Sequence, residues 1–156
     1  MVQTRGEKKV DSPIKRASKT VFGALGLSGR VYWKKVDRGN GSTFISFLRQ
    51  LLQNNPGKRL AVIVDNASLH RCRRVKNFLQ RYPMIKLCFL PPYSPEYNPI
   101  ERFWGWLKKH LYGATSYASI EAVIKRVREI IWHYREDKLV SKIRFNFTSY
   151  QDLIND

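Results

Sequence analysis

Hydrophobic and polar positions fall into short blocks along the chain, and the spacing within them switches between strand-like and helix-like. "KTVFGAL" (19–25) and "RVYWKKV" (30–36) are rich in β-branched and aromatic residues. "GLSG" between them is turn chemistry, so the two predict a hairpin. In "STFISFLRQLLQNN" (42–55), Phe44, Phe47, Leu48, Leu51 and Leu52 recur at helical spacing and "NPG" follows as a stop. "RLAVIVD" (59–65) is an apolar run closed by an acid, the pattern of a strand buried on both faces. "RCRRVKNFLQRY" (71–82) reads as a basic amphipathic helix and "IKLCFL" (85–90) as another buried strand. Two more helices follow, over 99–112 and 119–136. The order β-β-α-β-α-β-α-α predicts an α/β fold with a mixed sheet flanked by helices.

In 119–136, Ile120, Val123, Ile124, Val127, Ile130, Ile131 and Tyr134 form one stripe, whose default use is core packing and whose other use is a dimer surface. Residues 1–18 are basic, contain Pro13 and lack periodicity, so they read as a tail or truncated edge ahead of a single domain over 19–156. No stretch is apolar for long enough to span a membrane, and the first residues hold no secretory signal, which predicts a soluble, cytoplasmic protein. Cys72 and Cys88 lack metal-ligand spacing and read as ordinary thiols.

Charge changes the picture. The formal net charge is +17 on 156 residues. Basic residues outnumber acidic ones 13 to 3 over 1–60 and 9 to 3 over 61–110, but only 7 to 6 over 111–156. An excess concentrated in the first two thirds predicts a polyanionic partner, of which DNA is the usual one.

Two acids stand out against that background. The stretch "LPPYSPEYNPIERFWGWLKKHL" (90–111) leads through a run of prolines to a helix in which Asn98 is the cap, Pro99 the first residue and Glu101 the third. Ile100, Phe103, Trp104, Leu107 and Leu111 share a stripe with Glu101 at its border. Glu101 is therefore either half of a capping box or a carboxylate delivered to the rim of the sheet, where ligands bind in open α/β folds. Asp65 closes the buried strand and is either the start of the following turn or a partner for Glu101. Paired carboxylates are hard ligands for Mg²⁺, and two such ions can clamp a phosphodiester.

"VIVDNASLHRCRRVKNFL" and "IKLCFLPPYSPEYNPIERFWGWLKKHL", with 35 residues between Asp65 and Glu101, resemble the second and third catalytic blocks of bacterial insertion-sequence transposases of the mariner-related DDE superfamily. "VFGALGLSGRVYW" resembles the hairpin that these proteins carry upstream of those blocks. The resemblance covers roughly 19–112. It implies a ribonuclease H-like fold, with metal-dependent DNA strand cleavage and strand transfer. It makes Asp65 and Glu101 catalytic metal ligands in a two-metal site for Mg²⁺ or Mn²⁺. His70 is either a DNA or rim contact or a residue that satisfies backbone groups, and Asn66 either orients Asp65 or makes the turn. Arg71, Arg73, Arg74, Lys76, Lys108 and Lys109 are candidate DNA contacts. Trp106 is a candidate for DNA stacking or partner contact, while Trp104 reads as core. The partners implied are the element's ends, a target DNA and a second copy or larger synaptic assembly, in a nucleoid-associated setting.

The chain departs from the pattern at one place. The superfamily's chemistry uses three acids, the first on the fold's first strand. That strand is expected to be missing here, because neither Asp11 nor Asp37 matches the motif. The helix-turn-helix part is absent too. The chain thus resembles the C-terminal product of a split or truncated transposase gene, active only with an upstream transposase fragment, or else a non-catalytic DNA-binding remnant.

Overall fold

A computed structural model describes residues 2–8, 19–92, 98–112, 116–135 and 137–143. The strands are β1 (Val2–Lys8), β2 (Lys19–Leu25), β3 (Val31–Val36), β4 (Leu60–Val64) and β5 (Ile85–Phe89). The helices are α1 (Gly41–Asn54), α2 (Ser68–Arg71), α3 (Arg73–Arg81), α4 (Pro99–Tyr112), α5 (Ile120–His133) and α6 (Asp137–Ile143). One five-stranded sheet has the order β3-β2-β1-β4-β5. β2 runs antiparallel to both its neighbours, β1 and β3, whereas β4 runs parallel to β1 and to β5.

Period-two alternation assigns each strand's residues to two cores. Phe22 and Ala24 of β2 and Leu60, Val62 and Val64 of β4 face Phe44, Phe47, Leu48 and Leu51 of α1 and Val75 and Phe78 of α3. Leu25 and Ile63 face the other way, onto Ile100, Phe103, Trp104 and Leu107 of α4 and Val123, Val127 and Ile130 of α5. The sheet is thus covered on both sides, which is why β4 reads as an unbroken apolar run.

Local chemistry sets the ends of these elements. Asn40 caps α1, its side-chain oxygen accepting from the Ser42 and Thr43 N–H groups at 2.9 and 3.0 Å while the Thr43 hydroxyl accepts from the Asn40 N–H. Ser119 caps α5 through the Ala122 N–H at 3.2 Å. The β2–β3 hairpin turns through Gly29, whose φ of 79° lies in the left-handed region that glycine enters without steric cost.

Three features differ from the sequence-based expectation. The first strand, expected to be missing, is β1, made from residues assigned to the tail. Its composition gives no strand signal. It pairs along its whole length with β2 and meets β4 at Val2↔Ile63 and Gln3↔Val64, filling a slot whose two neighbours would otherwise carry unpaired backbone groups. The remainder of the supposed tail, Asp11 included, lies outside the described residues. The helix expected over 71–82 is α3, which starts two residues later, at Arg73, because Cys72 with a ψ of 153° is extended and separates it from a one-turn helix, α2, ahead of it. A further helix, α6, follows α5; its Leu139 and Ile143 join the α4–α5 core.

Candidate active site

Asp65 stands one residue beyond β4, and Ala61 and Ile63 of that strand precede it in the same alternating phase, on the side of the sheet that α4 covers. Its carboxylate is 41% exposed. Oδ1 accepts the Ala67 N–H at 3.0 Å, the hydrogen bond of an Asx turn that bends the chain away from the sheet. The same oxygen lies 2.9 Å from Nδ1 of His70, which is also 3.2 Å from the Asp65 carbonyl oxygen. Facing two acceptors, Nδ1 must carry the hydrogen. The imidazole is buried, with Nε2 making no hydrogen bond, and its ring lies 4.5 Å from that of Phe44. A ring without exposed atoms reaches no phosphate, so His70 sits behind Asp65 and not on the rim where a DNA contact would be.

Glu101 is exposed on the first turn of α4, as the proline-rich stretch predicts, and its N–H donates to the Asn98 carbonyl at 3.0 Å. Residues 93–97 of the approach lie outside the described residues. Sheet register brings α4 to Asp65. One step beyond the last β1–β4 pair, Thr4 stands level with Asp65; across the sheet, Thr4 pairs with Gly23 and Gly23 with Trp33. Trp104, one turn after Glu101, packs directly on Gly23: a Cβ there would lie 2.5 Å from the indole. The opening turns of α4 therefore lie over the row of positions that ends at Asp65, held there because glycine leaves room for a tryptophan.

Asp37 and Glu7 lie elsewhere. Asp37 follows β3 at the same end of the sheet, but three strand spacings, about 14 Å, from β4. It is 89% exposed and ion-paired with Lys19, whose hydrogen bond and charge hold the Asp37 carboxyl below its ordinary range. Glu7 pairs with Thr20, three positions beyond Thr4 and so about 10 Å further along β1. Among the described residues no three His, Cys, Asp or Glu side chains cluster as a metal site. Asp65 and Glu101 fit a hard divalent cation in kind, as carboxylate oxygens do.

The cationic candidates spread over three helices. Arg71, Arg73, Arg74 and Lys76 are exposed on α2 and α3, and Lys108 and Lys109 are exposed on α4. Arg71 donates to Asn66 and lies 4.4 Å from the Phe89 ring centroid, and Arg74 donates to the Ser42 hydroxyl. Trp106 is half-buried among Phe103, His110 and Tyr134, so its ring is occupied. The tryptophan that does face solvent is Trp132, 70% exposed beneath the Arg135 guanidinium, which the stripe on α5 leaves on its polar side. Sequence reasoning passed over it, although its place off the apolar stripe was readable.

A mixed sheet in this order, with an acid just past its fourth strand and a glutamate opening the helix after its fifth, defines a ribonuclease H-like domain. The chain belongs to the DDE superfamily endonuclease family, whose model matches residues 2–124. It is 29% identical over 132 residues to an uncharacterized 39 kDa protein of the insertion element IS630 from Shigella sonnei; the match takes in 83% of this chain but spans 38% of that protein's length. The catalytic domain of the Mos1 mariner transposase shares its fold, with a TM-score of 0.70 at 20% identity over 91% of this chain and 74% of that one. In the Mos1 transposase paired-end complex with the left transposon end the TM-score is 0.71 at 16% identity, over 91% of this chain and 50% of that one. The Mos1 catalytic domain has also been solved with manganese, and the DDE family is one of divalent-metal-dependent endonucleases. No helix among the described residues is long and apolar enough to cross a membrane.

Proposed function

We propose that the chain supplies part of the DDE endonuclease domain of a DNA transposase, which cuts strands at the ends of an insertion element and joins them to a target. The observation that carries this reading is the packing of Trp104, one turn after Glu101, on Gly23, which lies in the row of strand positions that leads to Asp65. Asp65 and Glu101 would hold Mg²⁺ or Mn²⁺. A pair of such ions supplies activation of the attacking oxygen and stabilisation of the leaving one. His70 and the Ala67 N–H hold the Asp65 carboxylate in one orientation. Arg71, Arg73, Arg74, Lys76, Lys108 and Lys109 neutralise DNA phosphates and so set the duplex against the sheet end. The working assembly contains element ends, target DNA, a second copy and a segment bearing the first acid, in the nucleoid of the cytoplasm.

Thr4, level with Asp65, favours a second reading in which these 156 residues bind DNA without cutting it. One experiment separates the two. The purified chain is incubated with supercoiled DNA bearing the element's ends and Mg²⁺ or Mn²⁺, alone and with an upstream transposase segment. Metal-dependent nicking only in the mixture, lost on Glu101→Gln, is expected; no nicking in either supports the binding-only reading. Robust nicking by the chain alone would show that another residue already serves as the first acid.

A further inference from the structure

β4 and β5 come apart at the point where Asp65 begins its turn, and one side chain spans the gap. The ladder between these parallel strands runs regularly up to Leu90, whose N–H donates to the Val64 carbonyl at 2.9 Å. The next rung of a parallel ladder would be the Asn66 backbone N–H donating to the Leu90 carbonyl. Instead the Asn66 side-chain amide, Nδ2, makes that bond at 2.6 Å. The Asx turn closed by Ala67 N–H on Asp65 has carried the backbone away, and the carboxamide reaches back.

The amide is held in one sense. Oδ1 accepts from the Arg71 guanidinium, which is itself braced over the Phe89 ring of β5. A donor on one side and an acceptor on the other leave a single assignment of oxygen and nitrogen. Leu90 is thereby fixed at its N–H by Val64, at its carbonyl by Asn66 and at its side chain, 4% exposed, in the core that also holds Ile100 and Phe103 of α4. Leu90 opens the loop that leads to Glu101; Asn66 adjoins Asp65.

We infer that Asn66, oriented by Arg71, is a positioning residue: it spans the β4–β5 fork and sets the separation between the segments that carry Asp65 and Glu101. The inference rests on the proposed role of those two acids. It also gives Arg71 a task inside the fold beside the proposed phosphate contact. A residue that only made the turn would be replaceable by glycine, which adopts turn conformations at no steric cost but has no side chain to cross the gap.

The test compares wild type, Asn66→Gly, Asn66→Ala and Arg71→Lys in the 156-residue chain, with amide hydrogen exchange and Mn²⁺ affinity from water-proton relaxation as readouts. In the Asn66 variants the Leu90 and Ala67 amides should exchange about tenfold faster, as loss of one hydrogen bond allows, with α1 amides unchanged, and Mn²⁺ affinity should fall about tenfold. Arg71→Lys keeps the charge and the Asn66 side chain but lacks the planar guanidinium, and should show a smaller change of the same kind. Asn66→Gly with wild-type exchange at Leu90 would overturn the inference. Faster exchange in a chain whose wild type takes up no Mn²⁺ would uphold the span while removing the metal reading of Asp65 and Glu101. If both Asn66 variants fail to fold, Arg71→Lys decides: unchanged exchange at Leu90 refutes the inference.

Discussion

His70 Nδ1 lies 2.9 Å from Asp65 Oδ1, and the imidazole behind that contact is closed off from solvent. A surface loop would leave such a carboxylate free to rotate; here a buried ring at the start of the following helix holds one of its oxygens. Replacing His70 by phenylalanine keeps the ring against Phe44 and removes the donor. A hydrogen bond to a charged group contributes about 1.5–3 kcal/mol, and solvent screening of the 41% exposed Asp65 carboxylate reduces this. The expected loss is about 1 kcal/mol of unfolding free energy, read as a lower urea midpoint with unchanged m-value. An unchanged midpoint would show that the contact adds nothing to stability.

Gly23→Ala should be costly although it adds one methyl group. The new Cβ would lie 2.5 Å from the Trp104 ring, which is packed in the core and cannot swing away. Overpacking of this kind costs about 1–3 kcal/mol. Because the displaced element carries Glu101, metal affinity should drop with thermal stability. Gly105→Ala, where a Cβ meets nothing within 4 Å, is the control and should leave both intact.

With a net charge of +17, the chain should bind duplex DNA with little sequence preference. Neutralising several phosphates releases counterions, so affinity should fall by orders of magnitude between about 50 and 200 mM salt. Titration of labelled duplex across that range checks this. A flat salt response would mean that the charge is not used on a phosphate backbone.

Asp65→Asn combined with Glu101→Gln should abolish Mn²⁺ uptake in calorimetry and leave the melting transition in place, since both carboxylates stand at the end of the sheet and outside its cores. Asp37→Asn should leave uptake unchanged. Its carboxyl is engaged with Lys19 on the far side of the sheet, and the small contribution of that pair, present above the unfolded carboxyl's pKa and lost as pH falls through the lowered folded value, concerns stability alone. Equal loss in all three positions would place the metal elsewhere.

Much of the fold was legible because its signals are local. "KTVFGAL" predicted β2 residue for residue, and the cap and proline at Asn98 and Pro99 predicted where α4 begins, since turn chemistry and apolar period act within a few residues. Tyr134 and Ile131 on the α5 stripe pack on the core as the period implied. β1 was not legible, because "VQTRGEK" has no strand pattern and becomes a strand only by lying between two edges that need partners. The break at Cys72 was equally hidden. There α1 approaches so closely that a Cβ on Gly41 would meet the Cys72 sulfur at 2.4 Å, a contact between positions 31 residues apart.

By itself the sequence determined the class of fold and singled out Asp65 and Glu101 as the candidate acids, since residue types, spacing and charge are properties of the chain. Tertiary structure alone decided which segment fills the centre of the sheet: Val2–Lys8 does the pairing work of a first strand and brings Thr4 level with Asp65. It also decided that His70 faces inward and that Asn66 crosses to Leu90. Those outcomes depend on where distant segments are brought by packing, and backbone hydrogen-bonding demand, unlike hydrophobic period, can be met by almost any residue that arrives.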